Sequence, residues 1–128
     1  NQTVEPYLEN FITEALVAEL SRSRLVEITE NPDLADLRLT GTVDDFKSRA
    51  KAYSSVDDIT AYTATMKVTS RLVRNADKET LWKGRLSRSE DYQAAVNKNL
   101  QLEGERLAAR VVSRRLAEDI YAQLLNNF

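Results

Sequence analysis

The 128-residue sequence predicts an α+β fold: a mostly antiparallel sheet of about four strands, covered on one face by two helices in the order α-β-β-β-β-α. Three observations predict it. Apolar residues recur at three- and four-residue steps near both ends of the chain, they alternate at a period of two through the middle, and polar turn signals separate the segments. Hydrophobic residues make up 42% of the chain and charged ones 30%, with three Gly and two Pro, a globular balance at a length that fits one domain spanning residues 1–128.

From Glu5 to Arg22 the residues Leu8, Phe11, Ile12, Ala15, Leu16 and Leu20 form one apolar stripe, and Pro6 suits a first helical turn. Leu25-Val26-Glu27-Ile28-Thr29 reads as a short strand, followed by the turn signal Glu30-Asn31-Pro32-Asp33. In ADLRLTGTVDDF, residues 35–46, Leu37, Leu39, Gly41 and Val43 alternate with Arg38, Thr40, Thr42 and Asp44, the mark of a strand with one packed and one wet face. Lys47 to Asp58 is polar and predicts a projecting hairpin tip. The longest alternation runs from Thr60 to Arg74, with Tyr62, Ala64, Met66, Val68, Ser70 and Leu72 inward. After the loop Arg74 to Thr80, Leu81 to Ser87 returns as its antiparallel partner, Trp82 and Leu86 inward and Lys83 and Arg85 outward. A closing helix from Ala94 to Asn126 carries Leu100, Leu107, Val111, Leu116, Ile120 and Leu124, with ion pairs such as Glu103 to Arg106 and Arg114 to Glu118 expected along it.

The composition excludes much chemistry. The chain has no Cys and no His, which removes thiol nucleophiles, the usual zinc sites and the commonest general base. No GxSxG, SxxK or phosphate-binding Gly-rich loop organises the remaining Asp, Glu, Lys, Ser and Tyr, so an enzyme is not expected, nor is a cofactor or metal. A net charge of −2 lacks the excess that a general nucleic-acid binder uses on phosphates. No apolar run approaches the length of a membrane span.

Candidate residues therefore come from faces rather than motifs. The outward sheet positions gather Arg38, Lys67, Arg71, Lys83 and Arg85 among Thr and Ser, a set suited to phosphate and sugar oxygens. A solvated strand face, kept from edge pairing by Lys and Arg, accounts for the same residues. Asp44 and Asp45 are adjacent on a strand, so they are expected to face opposite ways, and Asp57-Asp58 lies in the polar tip; turn and strand-end chemistry explains both pairs. Trp82 belongs to the packed face. Tyr53, in the polar tip, is the exposed aromatic that fits a partner contact.

The succession NQTVEPYLENFITEALVAELSRSR, ADLRLTGTVDDF, AYTATMKVTSRLVRNADKETLWKGRLSRSEDY and GERLAARVVSRRLAEDIYAQLL resembles the LptE family of lipopolysaccharide-assembly lipoproteins along essentially the whole chain. The resemblance implies a non-enzymatic outer-membrane lipoprotein facing the periplasm, plugging the barrel partner LptD and assisting lipopolysaccharide delivery. It further implies membrane attachment only through a lipidated Cys, which is not among these residues, and a strand ahead of residue 1. The basic residues that meet lipopolysaccharide in that family lie in the sheet region, which matches Arg38, Lys67, Arg71, Lys83 and Arg85 as a face and not position by position. The helix, the AD-x-x-L-x-G-x-V strand and the hairpin ending in LW are also similar to periplasmic lipoproteins that activate penicillin-binding proteins and to the TolB amino-terminal domain. The long Glu- and Arg-rich helix directly after SRSEDY favours LptE.

Overall fold

A computed structural model describes residues 6–56 and 58–127; Glu5, predicted to open the first helix, and Asp57 lie outside the described residues. Helix α1 spans Pro6–Ser21, a 3-10 turn spans Pro32–Leu34, strands β1, β2 and β3 span Leu37–Tyr53, Ile59–Arg74 and Thr80–Gln93, and helix α2 spans Lys98–Asn126. The three strands form an antiparallel sheet in the order β1-β2-β3, with both helices on one face.

Leu8, Phe11, Ile12 and Leu16 of α1 and Ala109, Val112, Leu116, Ala117, Ile120 and Leu124 of α2 close on Val43, Met66, Val68, Leu72 and Trp82 of the sheet. The helices run side by side in the same direction: the Arg106 guanidinium lies 4.8 Å from the Tyr7 ring, Arg110 lies 4.3 Å from Phe11, and the Tyr121 hydroxyl donates to Ser23 at 2.7 Å. Beneath them Gly41, Ser70 and Gly84 fall in register across the three strands. This row of small residues gives the large ones room. A Cβ on Gly84 would stand 2.5 Å from Cζ2 of Trp82, so only glycine lets the indole lie along β3, while one on Gly41 would meet Leu16 at 3.5 Å. Ser70 is fully buried, and its hydroxyl donates to the Thr40 carbonyl at 2.8 Å, which satisfies it without water.

Five expectations need correction. The sheet has three strands among the described residues, not about four, because Leu25 to Thr29 is irregular and exposed, Leu25 at 75%. Its backbone bonds instead to nearby hydroxyls, Leu25 N–H to Ser23 and Asn31 N–H to Thr29, local turns that compete with a strand ladder. The polar stretch from Lys47 is not a hairpin tip. β1 continues to Tyr53, paired through Lys47↔Thr65, Ser48↔Ala64, Arg49↔Thr63 and Ala50↔Tyr62, and beyond it Ser54 N–H donates to the Asp58 carbonyl at 2.7 Å. β3 likewise runs six residues past Ser87. On α2 the predicted stripe is rotated in the first turns: Leu100 and Leu107 are 62% and 55% exposed, and Gly104 instead faces the Tyr92 ring. Among the described residues the ion pairs of α2 reach across to β3 and do not run along the helix.

Candidate functional site

The outer sheet face is built by register. In β2 and β3, Arg71 stands opposite Lys83, Thr69 opposite Arg85 and Lys67 opposite Ser87; in β1, Thr40 stands opposite Arg71 and Arg38 opposite Val73, diagonal to Arg71. All five predicted cations, Arg38, Lys67, Arg71, Lys83 and Arg85, thus share one face, every one of them exposed. Directly opposed side chains on one face have Cβ atoms about 5 Å apart and diagonal ones about 7–8 Å apart. Arg71 and Lys83 therefore oppose like charge to like charge, with Arg85 and Arg38 on the diagonals. Among the described residues none of the five has a carboxylate partner. Arg71 Nη2 donates only to the Thr80 hydroxyl, at 3.1 Å.

The register also corrects the placement of the two carboxylates. Val43 opposes Val68 and Phe46 opposes Met66, both pairs inward, yet two residues separate Val43 from Phe46: a β-bulge inserts an extra residue in β1. Both Asp44 and Asp45 consequently lie on the outer side. Asp44 accepts a short hydrogen bond from the Thr69 hydroxyl, and Asp45 stands opposite Lys67 and reaches Lys47 Nζ at 3.9 Å. Asp58 belongs to the turn before β2, about eight residues or roughly 26 Å along β1 from the bulge, so it does not converge with them.

The strand extension adds outward cations absent from the predicted set: Lys47, Arg49 and Lys51 at alternate positions of β1. Lys51 bonds Asp91, and that ammonium, with the Thr63 hydroxyl, holds the Asp91 carboxyl below the usual carboxylate range. Lys47 is near Asp45. Two of these three far cations thus have carboxylates within ion-pair reach, whereas in the near half, from Lys67 to Arg38, only Lys67 has a carboxylate, Asp45, standing opposite it. Where the halves meet, Asp44, Lys67, Thr69, Arg85 and Ser87 line an open depression of about 440 Å³. Asp44, Thr69 and Ser87 were not in the predicted set, although alternation alone puts Asp44 and Thr69 on the outward side. Tyr53 is the last residue of β1, 60% exposed, remote from the cations at the other end of the sheet.

Comparison with known proteins follows from this geometry. The model of a family described as LptE: Lipopolysaccharide-assembly matches residues 1–124. No curated protein sequence matches the chain. Solved structures share its fold at low identity. A provisionally assigned lipoprotein from Caulobacter crescentus is 18% identical with a TM-score of 0.71, over 94% of this chain and 83% of that one. Rare lipoprotein B from Shewanella oneidensis is 17% identical with a TM-score of 0.62, over 90% and 85%. A minor lipoprotein from Acinetobacter baumannii is 20% identical with a TM-score of 0.54, over 94% and 82%.

Proposed function

This chain belongs to the LptE family of lipopolysaccharide assembly, and from that premise we propose that it is a non-enzymatic, periplasm-facing lipoprotein domain that binds lipopolysaccharide through the outer sheet face. The observation that carries the proposal is the opposition of Arg71 to Lys83, flanked by Lys67, Arg85 and Arg38, none of the five in an ion pair among the described residues, with Asp45 opposite Lys67 the one carboxylate set across from any of them. Like charges set directly opposite each other are destabilising, so a solvated face kept only for solubility gains by interleaving the two signs. A phosphate-rich ligand removes the repulsion and accepts charge-assisted bonds from several cations at once.

The rest of the reading follows the family. Residues 1–128 act as one domain at the periplasmic side of the outer membrane, attached through a lipidated Cys outside these residues. None of the described helices is long and apolar enough to cross a membrane. The domain plugs the barrel LptD, with exposed Tyr53 at the end of β1 as a contact. The family match over residues 1–124 favours this over a module that docks on a cell-wall synthase or a TolB-type partner.

The test is lipopolysaccharide binding by the double variant Lys67→Glu, Lys83→Glu. Binding is expected to fall at least about tenfold, the loss of one or two charge-assisted hydrogen bonds. Unchanged affinity in a folded variant returns these residues to a solvated face.

A further inference from the structure

Among the described residues β3 is an edge strand, and α2 runs beside its open side. The Ala94 N–H donates to the Thr60 carbonyl at 3.0 Å, and from there the register with β2 runs unbroken to Leu72↔Trp82. Bonded and unbonded pairs alternate in an antiparallel ladder, so the even-numbered residues of β3 turn their backbone groups to β2. The N–H and C=O of Lys83, Arg85, Ser87 and Ser89 therefore point away from the sheet. Arg115 of α2 agrees with that direction, donating to the Ser89 carbonyl at 3.3 Å. From Ser87 back to Lys83 no described residue bonds the edge. On the opposite edge of the sheet, by contrast, Glu9 of α1 accepts from the Val43 N–H at 3.4 Å.

The open stretch borders a groove of about 380 Å³ between Arg85, Leu86 and Ser87 of β3 and Ala122, Gln123 and Asn126 of α2. A strand edge facing a helix across a groove can take up an extended peptide as an added strand, with backbone bonds supplying affinity and alternate side chains specificity. Charge decides which peptide fits. Lys83 and Arg85 flank the edge on the outer face and have no ion pair among the described residues, while Asp119, the acid in the groove, is held by Arg88. On the inner side Leu86 and Ala122 are apolar, and the last turn of α2 carries partial negative charge that disfavours acids there. We infer that this groove binds an extended acidic segment of a partner protein as a fourth strand, antiparallel to β3. Its acidic side chains lie outward against Lys83 and Arg85, and its neutral apolar ones lie inward between Leu86 and Ala122, the alternation that a strand imposes. The inference goes beyond the lipopolysaccharide reading and does not rest on it.

The probe is a short synthetic peptide alternating Glu and Val, titrated against the protein and followed by amide chemical shifts in β3 and in residues 119–126. In an antiparallel ladder the peptide residues set opposite Arg85 and Ser87 turn their N–H groups to β3 and their side chains outward. N-methylation at Glu is therefore expected to weaken binding at least about fivefold, and N-methylation at Val to spare it. The same peptide with Lys in place of Glu should bind at least about fivefold more weakly, through reversed cross-strand pairs. Ser87→Pro removes an edge N–H that β2 does not use, a change edge strands tolerate. Peptide binding should fall by a similar factor in that variant while lipopolysaccharide binding holds. The methylated peptides act on the wild type, so the outcome does not depend on a variant that folds. Equal effects of the two methylations overturn the inference, as do a Lys peptide that binds as well as the Glu peptide and shifts confined to elements other than β3 and α2. Self-association that Ser87→Pro abolishes, with no peptide bound, assigns the edge to a second copy and also overturns it. Lipopolysaccharide binding without peptide binding sinks the groove alone. Peptide binding that passes these controls, in a protein that binds no lipopolysaccharide, supports the groove and sinks the broader reading.

Discussion

Two regions of this molecule are rich in cations, and they use them differently. Between α2 and β3 the arginines have partners: Arg88 forks onto Asp119 at 2.7 and 2.9 Å, Arg115 reaches Glu90 at 2.9 Å and the Ser89 carbonyl at 3.3 Å, and Arg106 and Arg110 lie on the rings of α1. On the outer face Lys67, Arg71, Lys83 and Arg85 stand in adjacent register positions without one ion pair among the described residues, Lys67 alone having a carboxylate, Asp45, set opposite it. The first region secures a helix to a sheet; the second stores repulsion. Residue counts alone would rank the Arg-rich helix as the stronger anion site. Register reverses that order, because availability depends on what stands opposite each charge and not on how many charges a segment holds.

The comparison can be broken most severely from beneath. Leu116 is fully buried where α2 meets the sheet, and Leu116→Ala should cost about 2–5 kcal/mol by leaving a cavity under the partnered arginines. Denaturant unfolding measures it. A cost below about 1 kcal/mol would mean that the polar contacts of Arg88 and Arg115, rather than the apolar seam, hold α2 in place. A double-mutant cycle on Arg115→Ala and Glu90→Ala addresses those contacts directly. Both side chains are partly exposed, at 41% and 32%, so the coupling should be only about 0.5 kcal/mol and should shrink in salt. Coupling several times larger would place this region's stability in its charges after all.

Much of this architecture was legible in the sequence, and the failures share one physical cause. Alternation located the inward residues of β2 and β3 correctly, Met66, Val68, Leu72 and Trp82 among them, because large apolar side chains carry a strong period-two signal. The signal faded where inward positions are small: Ser48, Ala50 and Ala52 alternate with Lys47, Arg49 and Lys51, yet the segment looks polar and reads as a loop. The converse error fell on Leu25 to Thr29, whose apolar β-formers lack a neighbouring strand in the described structure. The five cations could be assigned to one face from periodicity, but their mutual opposition depends on register between strands, which no single strand encodes. Asp44 was placed outward by alternation, but the outward turn of Asp45 was out of reach. A bulge breaks the two-residue alternation of a strand, and in sequence a break looks like an end.

The smallest stability effect is also the most discriminating. Lys83→Glu replaces the like-charge pair with Arg71 by an opposite-charge pair, and such cross-strand pairs differ by a few tenths of a kcal/mol in the favourable direction. Exposed substitutions seldom exceed about 0.5 kcal/mol, so the midpoint of thermal unfolding should stay constant or rise slightly. Lipopolysaccharide affinity should fall in the same variant. A protein that becomes marginally more stable as it loses its ligand is the expected signature of a surface selected for binding at a cost to stability. If Lys83→Glu instead lowers the midpoint by several degrees, Lys83 contributes to the fold through contacts that the present register does not explain, and the contrast with the α2 arginines loses its basis.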